Sequence, residues 1–115
     1  MAFQPACPLA AIPVDEAVAV TVGAYEVAIA RVEGEVFALQ DQCTHAAVPL
    51  SEGEVVNCEI ECYLHGSMFD LRTGKPTNLP ATEPVATFPV EVREVDGTDT
   101  VFVDTDTTLN GVTPA

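Results

Sequence analysis

The chain has 115 residues, 48% of them apolar, which is enough for one compact domain with its own core and too little for several. Eighteen Asp and Glu against four Lys and Arg leave a net charge of −14, a surface that repels a phosphate backbone and excludes nucleic acid as a partner. Apolar runs are broken by Pro, Glu or Gly well short of the roughly 20 residues that cross a bilayer, so no membrane contact is expected. Met1 to Pro5 shows no basic segment followed by an apolar one, and the expected location is the cytoplasm. The acidic side chains run dispersed from Asp15 to Asp106, a pattern that suits a solvated surface as well as a docking patch.

Seventeen Val and twelve Thr favour pleated strands, and no segment of helical length keeps an apolar stripe between caps, so the class is all-β. Val18, Val20 and Val22 alternate with smaller or polar residues. Tyr25, Val27 and Ile29 do so after Gly23, and Glu33-Gly34 separates that strand from Glu35 to Leu39. The segment from Gln40 to Ala86 is richer in Cys, His, Gly and Pro; within it Glu54 to Val56 and Glu59 to Glu61 read as short strands, and Phe69 to Gly74 as a strand entering a turn. The proline-containing stretch from Pro76 to Pro84 is expected to be an irregular loop. Phe88, Val90 and Val92 then read as a strand, Asp96-Gly97 as a tight turn, and Val101 and Val103 as the return. One domain is expected over residues 1–104, with a functional subdomain at about 41–86 and a small, polar tail, 105–115, that frays.

Four cysteines without a secretory leader point to metal ligands or buried apolar residues, not to a disulfide framework. Cys43-Thr44-His45 and, after sixteen intervening residues, Cys62-Tyr63-Leu64-His65-Gly66-Ser67 each offer one thiolate and one imidazole, and they use both histidines of the chain. Such a set can hold one zinc tetrahedrally. Structural zinc more often takes like pairs from each loop, whereas mixed loops suit two irons bridged by sulfide, with the thiolates on one iron and the imidazoles on the other.

The pattern Cys-x-His, sixteen residues, Cys-x-x-His resembles that of the Rieske iron–sulfur proteins. The likeness extends to Gly66, to Phe69-Asp70-Leu71-Arg72-Thr73-Gly74 and to Leu79-Pro80-Ala81, covering roughly Val18 to Asp104. It implies a Rieske fold, in which an antiparallel β-sandwich or barrel base carries a small inserted cluster-binding subdomain of two loops. It also implies one 2Fe-2S cluster, with Cys43 and Cys62 on the inner iron and His45 and His65 on the outer, more exposed one. Two thiolates and two sulfides balance two ferric ions, and reduction adds one negative charge. With neutral imidazoles in place of two thiolates the potential is expected at about −150 to +300 mV. Respiratory members carry an extra cysteine in each loop and a tyrosine, where this chain has Val48, Leu64 and Phe69. The chain thus resembles the ferredoxins that feed bacterial ring-hydroxylating dioxygenases.

Around the cluster, Ser67 is expected to donate its hydroxyl to a sulfur. The amides near Thr44, Gly66 and Ser67 are expected to add N–H donors, and Pro80 to help a loop close over the site. Cys7 and Cys58 match no ligand position. The resemblance implies a one-electron carrier, not an enzyme, that takes electrons from an NAD(P)H-dependent flavoprotein reductase and passes them to the Rieske centre of a terminal oxygenase, with no small-molecule substrate. The alternatives are the small Rieske subunit of a nitrite reductase-like complex and a zinc-stabilised interaction module.

Overall fold

The computed structural model describes residues 3–44, 48–64 and 66–114. Ten strands follow one another: β1 Gln4–Pro8, β2 Glu16–Val22, β3 Tyr25–Val32, β4 Glu35–Gln40, β5 Val55–Val56, β6 Glu59–Glu61, β7 Met68–Asp70, β8 Thr87–Phe88, β9 Val90–Val95 and β10 Thr98–Val103. Single 3-10 turns at Leu9–Ala11 and Leu50–Glu52 are the only helical pieces among the described residues. Three antiparallel sheets result, ordered β1-β10-β9, β2-β3-β4-β8 and β5-β6-β7.

The four-stranded sheet is the middle layer. Successive side chains on a strand point to opposite faces, and on β3 four in a row, Val27 to Ala30, are buried. Val27 and Ile29 join Ala38, Phe88, Val101 and Val103 in a core shared with the first sheet. Ala30 on β3 and Leu39 on β4 face the other way, into a second core with Leu50, Val55, Ile60, Phe69 and Leu71 from the segment inserted between β4 and β8. The register, Ile29 opposite Ala38 and Ala30 opposite Phe37, keeps the two sets on their own faces. A slip by one residue would exchange them. The base thus presents one buried face to the insertion that carries the two Cys-His loops.

Three sequence expectations need correction. Phe88 and Val92 do not share a strand, because Pro89 lacks the N–H that would continue the ladder. The chain instead steps from β8, paired with β4, to β9, paired with β10, and the Pro89 carbonyl accepts the Asp104 amide at 3.1 Å. The N-terminal residues Gln4 to Pro8, given no element from sequence, pair with β10. The tail expected to fray is pinned. Leu109 N–H donates to the Thr87 carbonyl at 2.8 Å, and the Asn110 side chain bonds to Thr73, Val85 and Thr87.

Phe88 is fully buried, with its ring centroid 6.1 Å from that of Tyr25. Phe88→Ala is expected to cost ~3–5 kcal/mol in urea unfolding, whereas Val92→Ala, on the exposed edge strand β9, should change stability by less than about 0.5 kcal/mol. Comparable effects for the two would contradict the assignment of this core.

Candidate metal centre

The first Cys-bearing loop leaves β4 at Asp41. The Asp41 amide donates to Glu26 O at 2.9 Å, and its carboxylate accepts the Ser51 amide and hydroxyl at 2.7 and 2.8 Å, so both ends of residues 41–51 are tied to the base. Inside that frame Cys43 is buried and its N–H donates to Val48 O at 2.9 Å. The second loop joins β6 to β7. Cys62 is completely buried, and its N–H donates to Ser67 O at 2.7 Å. Each loop is therefore closed in the same way, by a cysteine amide reaching the carbonyl five residues further along.

Gly66 sits at φ +79°, the left-handed region that glycine enters without steric cost, and its amide donates to Cys62 O at 2.9 Å. That bond closes the turn from Cys62 to Gly66. His45 and His65 fall within the two closed spans by sequence and lie outside the described residues.

A third segment, residues 75–84, lies across both loops. Asn78 accepts the Met68 amide at 2.5 Å and donates from Nδ2 to Gly66 O at 3.1 Å; Thr77 N–H donates to Met68 O at 2.8 Å. The Ala81 amide donates to Ser67 Oγ at 3.0 Å, and on the other side Thr44 Oγ1 donates to Glu83 O at 2.7 Å. Pro80 is itself exposed, and its neighbour Ala81, buried in the same apolar cluster as both cysteines, makes the contact. Sequence reasoning did not single out Asn78, Ala81 or Glu83. An Asn among prolines reads as a turn former, and a backbone amide leaves no trace in the residue type.

Ser67 is fully buried. With Ala81 N–H donated to its oxygen, the hydroxyl keeps its own proton for another acceptor. Cys43 and Cys62 share one apolar cluster, and no cysteine is in a disulfide. A buried thiolate needs a cation to offset its charge, and bound iron supplies one. The donor set therefore fits an iron–sulfur group with two sulfur ligands inside and two imidazoles carried on the same closed loops. Among the described residues, which include neither histidine, no three His, Cys, Asp or Glu converge.

Cys7 packs on the core of the base, and Cys58 on the edge of the cluster that holds Cys43 and Cys62. Cys7 lies on β1 opposite Val101, and burial pushes its thiol up. Cys58 occupies the tight β5–β6 turn with Asn57, at φ +61° and +53°, the pairing a two-residue hairpin of this hand requires. Burial is the largest influence on the Cys58 thiol and raises it, while Arg72 opposes.

The comparisons with known proteins agree with this geometry. Residues 2–89 match the model of the Rieske [2Fe-2S] domain. The biphenyl dioxygenase ferredoxin subunit of Pseudomonas sp. (strain KKS102) is 42% identical over 97 residues, covering 84% of this chain and 89% of that protein. The ferredoxin of carbazole 1,9a-dioxygenase from Nocardioides aromaticivorans IC177 superposes with a TM-score of 0.79 at 34% identity, over 90% of this chain and 97% of that one. A chain from the complex of reduced oxygenase and oxidised ferredoxin in carbazole 1,9a-dioxygenase matches with a TM-score of 0.78 at 35% identity, over 88% and 91%. With the twin loops, the buried cysteine pair and the family model spanning them, the chain belongs to the Rieske [2Fe-2S] family, and its cofactor is a Rieske-type 2Fe-2S cluster.

Proposed function

We propose that Cys43 and Cys62 hold one iron of the cluster and His45 and His65 the other, and that the chain delivers single electrons to the Rieske centre of a terminal aromatic-ring oxygenase. The observation that carries this reading is the pair of identically closed loops, each bearing one buried cysteine. When bound, the cluster supplies one-electron redox chemistry. The protein's own residues hold it, exclude water through segment 75–84 and set its surroundings through Ser67. The similar proteins are named as ferredoxin subunits, which favours a carrier over a subunit of a nitrite reductase-like complex or a zinc module.

Two surface features support docking. Tyr63 and Leu64 of the second loop and Leu79 of the segment bonded to it are 50%, 47% and 74% exposed, apolar side chains offered to solvent. Of the four cations, Arg31 donates to Leu9 and Ile12 carbonyls, Arg72 pairs with Glu35, Arg93 pairs with Glu91, and Lys75 is exposed. Little positive charge therefore interrupts an acidic surface that suits an electropositive partner, the oxygenase and, on the donor side, a flavoprotein reductase.

The holoprotein is expected to contain two irons and two acid-labile sulfides by chemical assay. His65→Ala should lose the cluster, whereas Cys58→Gly, which suits the left-handed turn, should retain it; colourless protein with stoichiometric zinc would overturn the reading. Ser67→Ala should keep the cluster but lower its reduction potential by ~40–90 mV, the equivalent of a hydrogen bond about 1–2 kcal/mol stronger in the reduced state. An unchanged potential in protein-film voltammetry would remove Ser67 from the site. Association with the oxygenase should slow as ionic strength rises, because screening acts beyond about 8 Å at physiological salt. Stopped-flow rates that stay flat between low and high salt would leave the acidic surface without a steering role.

A further inference from the structure

The C-terminal segment after Asp104 lies at the neck of the segment that covers the two ligand loops. Residues 75–84 are closed off between Gly74 and Val85, where the Val85 amide donates to Gly74 O at 2.9 Å. Gly74 holds φ +77°, and a Cβ there would collide with the Val85 carbonyl and the Asn110 amide group. Across this neck lies one side chain. Asn110 Nδ2 donates to Thr73 O at 2.9 Å and to Val85 O at 2.8 Å, one carbonyl on each side, while Oδ1 accepts the amides of Thr87 at 3.3 Å and Val112 at 3.2 Å. Both donors and both acceptor sites of the amide are thereby used. Leu109 adds its own backbone bond to Thr87 O, and Val112 packs on the base core.

From this arrangement we infer that Asn110 is a positioning residue of the electron-transfer site. By stapling Thr73 to Val85 it holds segment 75–84 so that Ala81 N–H fixes the Ser67 hydroxyl and Asn78 and Glu83 brace the two ligand loops. The connection is continuous. It runs from the Asn110 fork to Val85 at the neck, along the chain from Val85 back to Ala81, by the Ala81 amide to Ser67, and from the Ser67 carbonyl to the Cys62 amide. The inference rests on the proposed ligand set only for what the segment covers; the staple itself is independent of it.

The test uses the full-length holoprotein and hydrogen exchange by mass spectrometry on peptides spanning residues 75–86. Asn110→Ala should speed exchange there by roughly ten- to a hundred-fold, as expected for losing two or more hydrogen bonds that gate a local opening, with β3 and β4 unchanged. Asn110→Asp keeps the acceptor oxygen but loses the donor fork, so it should match the Ala variant. Both variants should release iron faster to a chelator and shift the potential in the direction of Ser67→Ala, with no further shift when Asn110→Ala is combined with Ser67→Ala. Unchanged exchange in 75–86, or wild-type exchange in Asn110→Asp, would overturn the staple. Faster exchange with unaltered potential and iron release would overturn the positioning role and leave Asn110 as packing alone. Should neither variant fold, the wild-type protein decides: peptides over 75–86 and over the tail should open together, and protection of 75–86 well beyond that of the tail would contradict the inference. A wild-type protein without two irons would refute the ligand assignment while leaving the exchange result to judge the staple.

Discussion

Two backbone hydrogen bonds, Cys43 N–H to Val48 O and Cys62 N–H to Ser67 O, set the conditions for everything at the functional end of this molecule. Each bond joins the two ends of a six-residue span and keeps its cysteine buried at one of them. A ligand loop must hold its geometry while the charge beside it changes by one electron, and a loop fixed by its own backbone does so without relying on flexible side chains. The same amide that closes the second loop ends on the Ser67 carbonyl, so the loop closure and the Ser67 hydroxyl are parts of one rigid unit.

That unit needs a stiff floor, which the middle sheet provides. Because β3 and β4 are buried on both faces, Ala30 and Leu39 can contact the insertion while Ile29 and Ala38 contact the first sheet. The small side chains Ala28, Ala30 and Ala38 on these strands are all buried and leave room for the larger Leu50, Ile60 and Phe69 of the insertion and Phe88 of the base. The base and the insertion therefore share one continuous scaffold, and the order of the ligand loops depends on packing several strands away.

Much of this was legible in the residues. Alternation marked β2, β3 and β4, Asp96-Gly97 marked the last hairpin, and the mixed Cys-His spacing pointed to the family, because each of these is written in side-chain identity. The contributions of Ala81, Asn78, Glu83 and Asn110 were not legible. Ala81 acts through its amide, which every residue but proline possesses, and Glu83 through its carbonyl, which every residue possesses. Asn110 sits in a segment whose composition, small and polar, is that of a loose end, and only tertiary structure brings the Thr73 and Val85 carbonyls to it. The split at Pro89 was misread for a related reason. Alternation across Phe88, Val90 and Val92 holds whether the strand continues or changes sheets, and the missing N–H decides.

In the proposed site the two closed loops present unlike ligands, sulfur from Cys43 and Cys62 and nitrogen from His45 and His65, to the two irons. The most direct measurement is pulsed EPR of the reduced protein, with histidine at natural abundance and then labelled with nitrogen-15. The account predicts strong nitrogen couplings from two imidazoles that change to the nitrogen-15 pattern on labelling, and that lose one member or disappear with the cluster in His45→Ala and His65→Ala. A spectrum without directly bound nitrogen, unaltered by the label, would mean that the cluster is held by sulfur alone and would contradict the account.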